Sequence, residues 1–459
     1  MIKHETEIPA AAVRPQVGER LRLGTPLGAY ALDHRVRYLF LEERGVQVLS
    51  AYTDRGQVVE AISPFLPGLQ CDEQEMADDY GIVFDDLSGP AGLEVNAIKT
   101  NRREANHDLD TTTFPHGLDA PTSPFSTRGT FASLNAKSRK LHHSTERGFE
   151  GEEPLTFASR VTGMCGRCNA SRSLAYAMAV ESISHARISE PAQAARLIIA
   201  ELERLYNHLF DLALCAGAAG WNLGRSSGIG LKRRALRICQ AATGHQLLCD
   251  AIVPGGLRDG VLADREHIQV LLLMLQEEVE EYLTVLLDQP AIRASWTEVG
   301  TLTREAAYAL AVVGPVHRAS GGAVDVRDLV PYGAYRWLPI RVAHEEKGDV
   351  LARCAIKMSE VRDSFRLVFQ AFETLGSDQL DRTAIVAPGV GEAVTVVEGP
   401  RGAETVALTV RAGIIWRVHF ISASYRNWPA VRHVAASDIV FDSPLVTRSF
   451  NLCHHCGSH

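Results

Sequence analysis

Residues 190–217 read EPAQAARLIIAELERLYNHLFDLALCAG. Leu197, Ile198, Leu202, Leu205, Leu209 and Leu212 recur at helical spacing and the run closes at Gly217, which predicts one long helix with a wide apolar stripe. Two further stretches repeat the pattern, DREHIQVLLLMLQEEVEEYLTVLLDQ (264–289) and GDVLARCAIKMSEVRDSFRLVFQAFETLG (348–376). Stripes this broad belong to helices packed inside a bundle rather than lying on its surface. Just upstream, SRSLAYAMAVESISHARI (171–188) reads as another helix, with Asn169 and Ser171 as candidate caps.

Outside the helical region the period changes. YALDHRVRYLFLEERGVQVLSAYTD (30–54) holds short β-rich runs broken by charged turns, and NRREANHDLDTTTFPHGLDAPTSP is polar and aperiodic. Further β-rich runs, AVTVVEGPRGAETVALTV and IIWRVHF, follow the last long helix. The expected fold class is therefore α+β: a small N-terminal α/β domain over 1–95, a linker over 96–127, and a mainly helical body with β additions over 128–459.

Composition narrows the class of function. Of 459 residues, 46% are hydrophobic and 22% charged, enough to bury a large core. The net charge of −8 and the lack of a Lys/Arg run exclude a general electrostatic footprint for nucleic acid or an anionic membrane. The start, MIKHETEIPAAAVRP, has no secretory pattern, and the longest apolar run, IQVLLLML, is far short of a bilayer span.

Nine cysteines, an odd count on a chain without an export signal, point to a reducing compartment. Cys71, Cys215, Cys239, Cys249 and Cys354 are isolated and read as core fillers. The other four form two CxxC pairs, Cys165/Cys168 in GMCGRCNAS and Cys453/Cys456 in NLCHHCGSH. A CxxC turn lets two sulfurs converge on one ion, and a helix N-terminus favours the thiolate that binds it. Four thiolates in two CxxC pairs are the ordinary donor set of a structural zinc, and soft thiolates also suit nickel or iron, so ligand type alone does not choose. The pairs lie far apart in sequence, unlike the halves of a local zinc ribbon.

Taken with their surroundings, these pairs resemble those of the large subunit of nickel-iron hydrogenases, in particular the complex I-like, membrane-associated group of formate hydrogenlyase type. DEQEMADDYGIVFDD (72–86) resembles the signature of the complex I small subunit fused at the N-terminus in that group. HHSTERGFEG (142–151) is similar to its HRGxEK segment, with Glu150 at the acidic position and Glu146 where the family has histidine. VGPVHRASGGAVDVRDLVPYGAY (313–335) carries Arg318, Ser320, Gly321, Asp325 and Arg327 in place, and VVEGPRG (396–402) matches EAPRG. SASYRNWPAVRHV and DSPLVTRSF then lead into the tail as in the family.

The resemblance implies a nickel-iron hydrogenase that evolves or oxidises H₂, with nickel and an iron carrying carbonyl and cyanide. Cys165 and Cys453 would be terminal nickel ligands, and Cys168 and Cys456 would bridge to iron. Cys453 would take the first proton, Arg401 would be a fixed cation over the substrate position aided by Asp325, and Glu150 and His142 would serve a proton or interface role. His459 would bind a further ion, magnesium or iron, and the chain end there would mark maturation. No third cysteine cluster exists for an iron-sulfur centre, so an iron-sulfur small subunit and a membrane arm are implied, with the chain peripheral at the cytoplasmic face of the membrane.

Two positions depart from the family: Arg172 replaces the histidine of CxxCxxxH, and Asn451-Leu452 replaces Asp-Pro. RVTGMC could also be aligned so that Thr162 takes a ligand position, whereas alignment through RSLAYAMAVE selects Cys165 and Cys168. Two other readings stand beside the hydrogenase: a complex I quinone-module subunit without hydrogenase activity, and a degenerate paralogue with a structural zinc.

Overall fold

A computed structural model describes residues 4–53, 57–87, 145–375, 384, 386–387, 389–437, 442–453 and 456. The expected linker, His142, His454, His455 and His459 lie outside them.

The N-terminal sheet has four strands, in the spatial order His4–Ile8, Gly45–Tyr52, Arg35–Glu42, Thr25–Leu32. The first pair is parallel and the others are antiparallel. Alternation along the strands splits their side chains between two cores. Ala29, Ala31, Val36, Tyr38, Phe40, Leu49 and Ala51 pack with Val13, Val17 and Met76 from the local helices. Leu27, Tyr30, Leu32, Leu39, Leu41, Val46 and Val48 join the main core of the protein. The sheet is thus buried on both faces, and its second face is covered by the helical body rather than by water.

Long helices build that body. Glu190–Ala218 is capped by Ser189, Arg265–Asp288 by Asp264, and Val350–Thr374 by Asp349, each side-chain oxygen accepting a backbone N–H of the first turn. All six stripe residues of the first helix are buried. A fourth helix, Asn222–Thr243, carries Gly224, Gly228 and Gly230, which work against helix formation on their own. Tertiary packing overrides that cost: a Cβ on Gly228 would stand 2.7 Å from both Ala213 Cβ and Tyr282 Oη, so the absence of a side chain permits the close crossing.

A second sheet, of strands Gly391–Gly399, Gly402–Arg411 and Ile414–Ile421, is antiparallel throughout. Gly399 pairs with Gly402, which leaves Pro400 and Arg401 alone in a two-residue turn. Helices Ala423–Ser437 and Ser443–Phe450 then lead to the second cysteine pair. The N-terminal sheet unit is tied to this region by a buried ion pair between Asp72 and Arg426, and Arg426 also donates to the Gly68 carbonyl. Arg37 reaches Glu392 at 2.9 Å. The α+β architecture matches the sequence expectation.

Candidate metal centre

Cys165, Cys168, Cys453 and Cys456 form one buried cluster. Cys165 Sγ lies 3.5 Å from Cys453 Sγ and 3.0 Å from Cys456 Sγ, and the sulfurs of Cys165, Cys168 and Cys456 all fall within 4.8 Å of one another. All four cysteines are free thiols. Sulfurs about 2.3 Å from one tetrahedral ion stand about 3.8 Å apart, so this spacing suits a shared soft metal. The donor set therefore fits a thiolate-bound metal centre.

The first pair is held by a folded loop at the start of the Asn169–Ile183 helix. The backbone N–H groups of Arg167 and Cys168 each donate to Cys165 Sγ at 3.3 Å, an arrangement that stabilises a thiolate. The expected caps take other roles. Asn169 turns away to the Leu247 carbonyl and Cys249 Sγ, and Ser171 sits inside the first turn. Glu203, from the Glu190–Ala218 helix, does the capping by accepting from Ala170 N at 2.7 Å and Ser171 N at 3.0 Å. Burial still pushes its carboxyl up to about 7.

The second pair is clasped from two sides. Ser424 Oγ accepts from Cys453 N at 2.9 Å, and Ser422 Oγ donates to the Cys456 carbonyl. Asn451, which ends the Ser443–Phe450 helix, has φ of 44°, a left-handed geometry that asparagine tolerates better than most residues. Its amide nitrogen donates to Asp211, its side-chain oxygen accepts from Arg167 at 3.3 Å, and its carbonyl accepts from Arg401 Nε at 2.7 Å. The position that departs from the family pattern is thus a bonding hub.

Arg401 is buried at 3% exposure, not at the surface of a turn. Its Nη1 donates to Cys168 Sγ at 3.4 Å and its Nη2 to Asn207 Oδ1 at 3.1 Å. A close glycine contact seats the turn: a Cβ on Gly314, which has φ of 70°, would come within 2.3 Å of Gly402 Cα. The oxygens that Arg401 bonds belong to neutral amide groups, and its charge acts on Cys168, on the nearby Asp211 carboxylate and on the Cys453 and Cys456 sulfurs. Hydrogen bonding from Cys165 and Cys456, together with Arg401, lowers the Cys168 thiol to about 6.

Other expected residues are placed differently. Asp325 is buried, but it pairs with Arg327 at 2.7 Å and Arg318 at 3.2 Å, not with Arg401. Burial alone would raise its carboxyl, and the two guanidiniums overcome that and hold it at about 2. Glu150 sits near the surface and pairs with Arg417 at 3.0 Å, apart from the cysteines. The buried acid of that segment is Glu146, which accepts from the Phe420 N–H and lies 2.7 Å from His419 Nδ1. Thr162 bonds Asp250 and the Ser159 carbonyl, so the alignment through Cys165 and Cys168 is the one that brings four sulfurs together.

Besides Glu203, two further acids at the cluster, Glu404 and Asp211, carry no motif in the sequence. Glu404 is buried on the middle strand of the second sheet, accepts from Ala423 N at 3.2 Å, and is pushed up to about 8 by burial. Asp211 bonds Asn451 and Lys357, the latter at 2.7 Å. Their signal was faint: Glu203 and Asp211 are charged residues inside a helix too apolar to need a solvated face, and Glu404 alternates as an interior strand residue.

Residues 228–389 match the family described as the respiratory-chain NADH dehydrogenase 49 Kd subunit. Formate hydrogenlyase subunit 5 of Escherichia coli (strain K12) is 29% identical over 309 residues, covering 67% of this chain and 54% of that protein, so the chain spans about half the length of this relative. An NADH-quinone oxidoreductase component of Herpetosiphon aurantiacus is 30% identical over 237 residues, covering 50% of this chain and 64% of that protein. Among solved structures, the membrane-bound sulfane sulfur reductase, an archaeal respiratory membrane complex, includes a chain that superposes with a TM-score of 0.65 at 20% identity, covering 69% of this chain and 88% of that one. No helix among the described residues is long and apolar enough to cross a membrane.

Proposed function

We propose that this chain, which is similar both to the 49 Kd subunit of respiratory NADH dehydrogenase and to a formate hydrogenlyase subunit, is the catalytic large subunit of a nickel-iron hydrogenase. The observation that carries the reading is the meeting of two distant CxxC pairs in one buried cluster beneath Arg401. In this reading Cys165, Cys168, Cys453 and Cys456 hold the metals, and an iron-sulfur partner subunit in a membrane-associated assembly carries electrons away. When bound, a nickel-iron group with carbonyl and cyanide supplies the Lewis acid at which H₂ is polarised.

The chain's own residues supply the rest. Cys453 Sγ accepts the first proton, as a thiolate base beside the metals. Arg401 keeps a fixed cation against the sulfurs without competing for a proton, because guanidinium stays charged. Glu203 and Glu404, whose proton affinities burial raises into the neutral range, are able to hold a proton at a carboxylate oxygen near the cage. A hydrogen–deuterium exchange assay on the assembled complex tests this. Cys456→Ser is expected to abolish exchange, and full turnover by that variant would refute the site.

A second reading, a quinone-module subunit without hydrogenase activity, is favoured by the 49 kDa family match over 228–389. It gives no use to four thiols gathered in one buried cluster, three of them close enough to share an ion.

A further inference from the structure

Buried arginines such as Arg204 and Arg318 are each held by several acceptors. Arg204 donates to Glu201, Glu360 and the carbonyls of Glu398 and Gly399, and Arg318 donates to Glu398, Glu360 and the Val324 carbonyl. Arg172 is the exception. Its side chain is 1% exposed, yet Nε, Nη1 and Nη2 all lack a hydrogen-bond partner among the described residues. Glu404 stands 3.9 Å away, beyond hydrogen-bond length, and the Phe420 ring lies 5.4 Å from the guanidinium carbon.

An uncompensated buried guanidinium costs several kcal/mol, so its surroundings call for a negative partner that the described residues do not place within hydrogen-bond reach. The ionisable acids nearest it are Cys456, Glu404, Cys165 and Cys168, whose charged forms outweigh burial and raise its proton affinity. Arg172 rises from the first turn of the helix that follows Cys168, and Arg401 contacts Cys168 from the strand turn. The cage is therefore served by two cations, one of which already has its acceptors and one of which has no hydrogen-bond acceptor among the described residues.

We propose that Arg172 is the hydrogen-bond donor for a small anionic ligand carried by the metal centre, of cyanide or azide size, held between the sulfurs and the guanidinium. This rests on the metal-centre reading above. It gives the arginine that replaces the family's histidine a binding role instead of a structural one.

The test uses the full purified chain, with metal content and melting measured for wild type, Arg172→Gln and Arg172→Lys. Where wild type shows infrared bands of metal-bound diatomic ligands, Arg172→Gln is expected to shift them at equal metal content, with Arg172→Lys intermediate. Unshifted bands overturn the proposal. If Arg172→Gln loses its metal, Arg172→Lys decides, since lysine keeps the charge but not the fork, and unshifted bands in it overturn the proposal.

Where wild type shows no such bands, the hydrogenase reading falls and the zinc-loaded chain is titrated with azide. Losing a charge-assisted hydrogen bond is then expected to weaken azide binding by about tenfold or more in Arg172→Gln. Equal affinity, or no azide uptake by wild type, overturns the role given to Arg172.

Discussion

Arg401 donates from Nη1 to Cys168 Sγ at 3.4 Å, across 233 positions of sequence. The same guanidinium holds the Asn451 carbonyl, so one side chain fastens both cysteine pairs. Arg401→Lys offers a single ammonium in place of a fork and leaves either Asn207 or Asn451 without its donor. A loss of about 100-fold or more in H₂ turnover is expected from removing a preorganised donor. Turnover and bound metal should be measured together; activity near wild type would show that the cation is not needed.

Asn451 combines a left-handed backbone with three hydrogen bonds. Asn451→Ala adds backbone strain of about 1–2 kcal/mol and strips Asp211 of a buried donor worth about 1–3 kcal/mol. Asn451→Gly should recover only the backbone part. Denaturant midpoints of the two variants separate the terms, and equal midpoints would contradict the assignment of strain to this residue. Asn451→Asp, closer to the family pattern, sets a carboxylate against Asp211 and should destabilise the chain most near neutral pH.

Glu203 caps the helix behind the first cysteine pair through two backbone N–H groups. Glu203→Gln keeps one acceptor, while Glu203→Ala keeps none and should cost about 2–3 kcal/mol more than the glutamine variant. Thermal melts with and without metal check this. The alanine variant should also bind zinc more weakly in a chelator competition, because the loop presenting Cys165 and Cys168 is loosened.

His419 gives the stability a pH dependence. Burial disfavours its charge, but Glu146 at 2.7 Å and Glu75 at 4.0 Å prevail and push the imidazole up to about 9. A folded value above the unfolded one means that the extra stability is fully present below about pH 6.5 and is lost as pH rises through about 9. The full shift corresponds to roughly 3 kcal/mol at most. Urea midpoints should fall across that window in wild type and stay flatter in His419→Gln; parallel curves would remove His419 as the cause.

How much was legible in the sequence followed how local each signal is. The long helices showed through their stripes, and the cysteine pairs through spacing that a CxxC turn imposes. The Asn222–Thr243 helix did not, because Gly228 is explained only by the close approach of Ala213 and Tyr282. Asn451 looked like a defect in a motif, since its bonds to Asp211 and Arg401 come from elements far away in sequence. Glu150 carries the expectation of a proton or interface role from the HHSTERGFEG segment, whereas Glu203 and Glu404 come to the cage from a helix interior and a strand, where no local motif marks them. Asp325, expected to aid Arg401, is engaged by Arg318 and Arg327, which stand in the same stretch of sequence.

The most direct measurement is metal analysis of the purified chain combined with its infrared spectrum. Nickel and iron in equal amounts, with bands from metal-bound carbonyl and cyanide, are the expected result. A chain that holds zinc with neither nickel nor iron, and shows no such bands, would contradict the hydrogenase assignment.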